Sequence, residues 1–169
     1  MNNCYLDAEA VITFFRMTGR KHIFITGSRG SGKSHLVNNM LKHMSDSFNL
    51  LQSHRTDTPQ VVIKSNLVAD NKEFVIGVPR TSGINPASKG NNMTIIEDGF
   101  INCAIPAIDT HLDTTPERLF VIDELGYLES SCIPFQKAVE KLLDNSHVLA
   151  VIRKQSTEFL NRIYNRKDV

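Results

Sequence analysis

Hydrophobic and polar positions change period several times along the chain. Ala8 to Met17 carries apolar residues at helical spacing behind Asp7, a residue type that caps helices, and predicts a short amphipathic helix. Ile23-Phe24-Ile25 is a brief, β-prone apolar run that ends in a glycine-rich turn, as a buried parallel strand does. Lys33 to Met44 returns to helical spacing through Leu36, Val37, Met40 and Leu41. Val61-Val62-Ile63 with Leu67-Val68, and then Phe74-Val75-Ile76, flank the turn Asp70-Asn71-Lys72 and predict a β-hairpin. Arg80 to Asn92, rich in Gly, Ser, Asn and Pro, reads as a mobile surface loop.

Further along, a helix is expected from Gly99 to Leu112 with a kink near Pro106, followed by a strand over Leu119 to Ile122. Pro134 opens a helix to Asn145, Val148 to Ile152 is a buried strand, and Ser156 caps a last helix reaching about Tyr164. Strands alternating with helices imply an α/β fold of three layers, a mainly parallel sheet with helices on both faces. A length of 169 residues suits one domain, residues 1–169, with residues 1–20 as an N-terminal helical addition.

Between the first strand and the helix after it, Gly27-Ser28-Arg29-Gly30-Ser31-Gly32-Lys33-Ser34 fits G-x-x-x-x-G-K-[ST]. Glycines let the backbone turn tightly, so that successive N–H groups face a phosphate at the positive end of the helix dipole. The whole run, Arg29 included, is a candidate phosphate cradle. Lys33 would reach the β- and γ-phosphates, and the Ser34 hydroxyl would ligate Mg²⁺. Arg29 sits at a variable position with a solvated side chain, and His35 at a first helical turn without chemistry.

A cradle alone hydrolyses nothing. Leu119-Phe120-Val121-Ile122-Asp123-Glu124 supplies the second half: four apolar residues ending in two carboxylates, as a buried strand opening onto a ligand crevice would. Asp123 would bind Mg²⁺ and Glu124, pointing to the other face, would orient the attacking water and accept its proton. Arg153 and Lys154, just past the strand Val148 to Ile152, are candidates for the cation that offsets transition-state charge.

Ile122-Asp123-Glu124-Leu125-Gly126-Tyr127-Leu128-Glu129 resembles the D-E-[IL]-G-x-[ML]-E segment of the THEP1-type nucleoside-triphosphatases, small P-loop proteins. Cys103-Ala104-Ile105-Pro106-Ala107-Ile108 is similar to that family's L-A-L-P-x-L helix. Phe135, Val139 and Leu142, the strand Val148 to Ile152, and the segment from Phe159 to Arg166 also look like their counterparts. The resemblance implies a RecA-like (ASCE-type) P-loop NTPase with a β-hairpin insertion and broad choice of base. Carried over by position, it places phosphate binding on Gly27 to Ser34, metal binding on Ser34 and Asp123, and water activation on Glu124. Gly126 then allows a tight turn, and Glu129 caps the next helix or holds the loop. The family's Gly-Phe-Thr turn is missing at Pro59-Gln60-Val61, and its basic residues near the hairpin have only Lys64 and Arg80 as loose counterparts.

Composition narrows the partners. Lys and Arg total 19 against 18 for Asp and Glu, and a net charge of +1 gives no overall field to attract nucleic acid. No stretch approaches the roughly 20 apolar residues of a membrane helix. Asp7 and Glu9 ahead of the apolar run argue against a signal peptide. Cys4, Cys103 and Cys132 fit neither a disulfide framework nor a zinc site and read as reduced thiols of a cytoplasmic protein. Two alternatives stay open beside hydrolysis: a P-loop kinase that passes the phosphoryl group to a small acceptor, and a slow ATP- or GTP-dependent switch acting with a protein partner. A guanine-specific GTPase is disfavoured, because Asn165-Arg166-Lys167-Asp168 departs from N-K-x-D and reads as a frayed polar terminus.

Overall fold

The computed structural model describes residues 7–28, 30–43, 48–80 and 93–169. Helix α1 (Ala8–Thr18) starts where expected, with the Asp7 carboxylate accepting the Glu9 N–H at 3.3 Å, and stops at Gly19, whose φ of 65° only glycine adopts cheaply. β1 (His22–Gly27), α2 (Lys33–His43), β2 (Phe48–Arg55), β3 (Val61–Ser65), β4 (Phe74–Pro79) and β5 (Met93–Ile95) follow. Then come a short helix α3 (Glu97–Gly99), a π-helical stretch Phe100–Ala104 and α4 (Ile105–Thr114). β6 (Leu119–Leu125), α5 (Ile133–Asn145), β7 (His147–Arg153) and α6 (Glu158–Tyr164) complete the chain.

One seven-stranded sheet runs in the order β1-β7-β6-β2-β3-β4-β5. The first four are parallel neighbours, and β3, β4 and β5 extend them antiparallel. The expected hairpin is therefore present, but its first strand ends at Ser65, leaving Leu67-Val68 in the connection, and it is the middle of an extension that the short β5 closes. β2, which the apolar pattern does not announce, joins it to the parallel core.

Each face of the sheet is covered by helices, as apolar-in-both-faces strands require. On one face Ala8 and Ile12 of α1 and Val37 and Met40 of α2 meet Val121, Leu149 and Val151. Helix α1 of the N-terminal addition thus packs against α2. On the other face Phe100, Phe135, Val139, Leu142, Phe159 and Leu160 close over Phe120, Ile122, Ala150 and Ile152. Four phenylalanines there, Phe100, Phe120, Phe135 and Phe159, are fully buried, and truncating one would cost about 3–5 kcal/mol. Among the described residues no helix is long and apolar enough to cross a membrane.

Four expectations need correction. The helix expected over Gly99 to Leu112 starts at Glu97 and carries its irregularity as a π stretch just before Pro106, which has no N–H to donate back to the preceding turn. Thr157, not Ser156, caps α6: its hydroxyl accepts the Leu160 N–H at 3.1 Å, while the Ser156 hydroxyl takes an Asn161 side-chain N–H at 3.3 Å. The C-terminal segment is not frayed, because the Asp168 carbonyl accepts the N–H groups of Lys21 and His22, and Arg166 grips the Asp168 carboxylate through two nitrogens. Glu124 is not placed by simple strand alternation either. β6 shifts register against β7 between Asp123 and Leu125, so Glu124 is the extra residue of a bulge and Leu125 returns to the face of Ile122. The loop expected at Arg80 to Asn92 lies, after Arg80, outside the described residues.

Candidate active site

Because β1, β7, β6 and β2 are parallel, their carboxyl ends share one edge, and register puts the site residues there in a row. Gly27 lies beside Arg153, and Gln52 beside Asp123. At the end of β1 the chain turns through Gly30 (φ 75°) and Gly32 (φ 86°), both in the left-handed region that favours glycine. Gly27 admits the turn differently: a Cβ there would lie 2.8 Å from the Ser31 hydroxyl oxygen. Lys33 folds back and donates to the carbonyls of Gly27 at 3.2 Å and Ser28 at 2.9 Å, which holds its ammonium at the mouth of the loop.

Gly27, Ser28, Gly30, Ser31, Gly32, Lys33 and Ser34 line an open cavity of about 700 Å³ together with Glu124, Arg153, Lys154 and Gln155. The geometry therefore brings together the cradle, the second acidic residue and both candidate cations. Arg29 lies outside the described residues. His35 also lines the cavity, with its Nε2 3.1 Å from the Asn39 amide nitrogen.

A second cavity of about 330 Å³ opens on the other side of Ser34, Glu124 and Arg153, which line both. Its wall holds Asp123, Gln52, Ser53, Tyr127 and Glu129. Burial pushes the Asp123 carboxyl above its ordinary value, against smaller opposing effects of the Gln52 hydrogen bond and the Lys33 charge. A half-buried carboxylate and a serine hydroxyl lining the same cavity are hard-oxygen donors of the kind Mg²⁺ takes alongside waters and phosphate oxygens. Among the described residues no cluster of three or more His, Cys, Asp or Glu could hold a metal without such help.

Glu124 is ion-paired with Arg153 Nε. Glu129 is buried, its Oε2 accepts the Gly126 N–H at 2.9 Å, and burial raises its carboxyl to about 7 despite that bond and one with Ser53. It holds the loop, one of the two roles the resemblance allowed. Gly126 has no positive φ, so a left-handed turn is not what requires glycine there. Sequence reasoning missed Gln52, because its strand was missed. Of the hairpin's basic residues, Lys64 is tied to Glu73 at 3.4 Å.

Comparison with known proteins bears on the family and the fold. The model of a family described as NTPase matches residues 22–169. Nucleoside-triphosphatase THEP1 of a Thermotoga species is 27% identical over 149 residues, covering 87% of this chain and 82% of its own. Its Thermotoga maritima counterpart is 24% identical over 148 residues, with the same coverage. Two solved structures share the fold. The crystal structure of THEP1 from Aquifex aeolicus has a TM-score of 0.64 at 18% identity, covering 86% of this chain and 84% of that one. The solution structure of a human cancer-related nucleoside triphosphatase has a TM-score of 0.63 at 21% identity, covering 88% and 86%.

Proposed function

We propose that this chain, which belongs to the NTPase family, hydrolyses nucleoside triphosphates to the diphosphate and phosphate, with Mg²⁺ and with broad choice of base. The observation that carries the reading is that the glycine loop, Lys33, Glu124 and Arg153 line one cavity. Relatives named nucleoside-triphosphatase over most of both chains support it.

In this reading the loop N–H groups and the α2 dipole hold the β-phosphate, and Lys33 exchanges its two backbone carbonyls for phosphate oxygens. Ser34 and Asp123 would hold Mg²⁺, which would supply positive charge to the triphosphate when bound. Glu124, set off its strand by the bulge, orients a water on the far side of the γ-phosphate and accepts its proton. Arg153 sits beside it as the cation that offsets developing charge.

Broad choice of base is in keeping with relatives named for nucleoside triphosphates as a class rather than for one base. Free, buried Cys103 and Cys132 are in keeping with a cytoplasmic protein. Transfer to a small hydroxylated acceptor is favoured by one observation: the 330 Å³ cavity beyond Ser34 and Glu124 exceeds the ~30 Å³ that one water fills.

The test is phosphate release from ATP, GTP, CTP and UTP with and without Mg²⁺. Cleavage of several triphosphates that stops when Mg²⁺ is chelated is the expected result. Binding without release unless an alcohol is supplied would favour the transferase.

A further inference from the structure

Arg153 ends β7 beside Gly27, the first residue of the phosphate loop. Its side chain crosses the face of Gly126 on the way to Glu124: a Cβ at position 126 would lie 2.9 Å from Arg153 Cδ, 3.4 Å from Cγ and 3.5 Å from Nε. Since Gly126 has no positive φ, what a side chain there would meet is Arg153, which would have to leave this position. Both backbone groups of Gly126 are pinned. Its N–H donates to buried Glu129 at 2.9 Å, and its carbonyl accepts the Ser130 N–H at 3.0 Å and the Ser130 hydroxyl at 2.6 Å.

We propose that Gly126, fixed by Glu129, is the seat of Arg153, and that Arg153 is the group by which the protein distinguishes a bound triphosphate from a diphosphate. The inference rests on the reading that nucleotide phosphates occupy the glycine loop. Arg153 stands where the two cavities meet, with Ser34 and Glu124. A diphosphate held by the loop ends short of that point, and Arg153 stays on Glu124. The terminal phosphate of a triphosphate reaches it, carries more charge than one carboxylate, and offers the oxygen pair that a guanidinium prefers. Arg153 then moves to the phosphate and releases the Glu124 carboxylate for the water. Gly126 and Glu129 thus position a cation rather than bind metal.

Calorimetric titration with Mg²⁺ and either ADP or a non-hydrolysable β,γ-imido ATP analogue tests this in the native protein, Arg153→Ala, Gly126→Ala, the double variant, Glu129→Gln and Glu129→Ala. Arg153→Ala is expected to lose roughly tenfold to a hundredfold in analogue affinity, the worth of a charge-assisted bond, with ADP affinity unchanged. Gly126→Ala and Glu129→Ala show the same selective loss, the double variant is no worse than Arg153→Ala, and Glu129→Gln, which still accepts the Gly126 N–H, behaves as native. Equal losses for ADP and the analogue, additive losses in the double variant, or native behaviour of Gly126→Ala would each overturn the proposal. A native protein that discriminates in this way yet releases no phosphate would overturn hydrolysis and leave this inference standing.

Discussion

Gln52 and Asp123 are partners on adjoining parallel strands, and the Gln52 amide nitrogen stops 3.5 Å from Asp123 Oδ2. The position gives an otherwise solvent-poor carboxylate a donor that favours its charged form. Asp123 and Ser34 both line the smaller cavity.

Removing that donor therefore has a defined cost. Gln52→Ala is expected to raise the Mg²⁺ concentration for half-maximal turnover roughly tenfold, as loss of a ligand-orienting partner does. Metal-free nucleotide binding stays as it was. A Mg²⁺ titration of turnover checks this, and an unchanged midpoint would remove Gln52 from the site.

Glu129 makes stability fall as pH rises. Its carboxyl titrates at about 7 in the folded chain against an ordinary 4.5, so the folded state holds a proton over that window that the unfolded chain has lost. The contribution is complete below pH 4.5 and lost by about pH 7, on the order of 3 kcal/mol. Denaturant melts at pH 5 and pH 8 should show this decline in the native protein and a much flatter profile in Glu129→Gln.

His111 acts at the other end of the scale. Asn49 Nδ2 donates to its Nδ1 at 2.8 Å, which leaves Nε2–H to donate to the Ser146 hydroxyl at 2.7 Å, so the ring is neutral. Burial lowers its pKa from 6.5, the unfolded chain takes up the proton first, and stability falls as pH drops below about 6.5. His111→Gln, which can keep both bonds without titrating, should soften that acid limb in melts followed from pH 7 to 5. An acid limb as steep as native would assign the effect elsewhere, His22 being the other buried imidazole with a lowered pKa.

The C-terminal clamp is testable by its arginine. Arg166 holds Asp168 through Nε at 2.9 Å and a terminal nitrogen at 2.7 Å, and holds that carboxyl down to about 2. Asp168 is partly exposed, so Arg166→Ala should destabilise by only about 1 kcal/mol at neutral pH. Most of that difference should be lost as pH falls from about 4 through 2, where Asp168 takes up its proton. Paired melts across pH 7 to 2 measure it.

What could be read from the residues follows from which of them obey a local period. β1, the loop and α2 were legible because Ile23 to Ile25 and Leu36 to Leu41 switch from one period to another around a spelled-out glycine loop. β6 was legible as Leu119 to Ile122 because four apolar residues precede the acids. β2 was not, since Asn49, Gln52, Ser53 and His54 interrupt it. Buried Asn49 is tolerated there because His111 and Thr115, 62 and 66 residues away, satisfy its amide. The bulge at Glu124 and the seat of Arg153 on Gly126 were hidden for the same reason: they exist only once β7 lies between β1 and β6. The acidic run and Arg153 were each visible as candidates, but not their contact.

The most direct measurement compares Glu124→Gln with the native protein, in Mg²⁺-ATP binding and in single-turnover phosphate release. The account predicts that Glu124→Gln still binds the triphosphate and loses turnover by roughly a hundredfold or more, because the water has lost its base. Phosphate release by Glu124→Gln at the native rate would contradict the assignment of Glu124 to the water, and with it the central claim about this site.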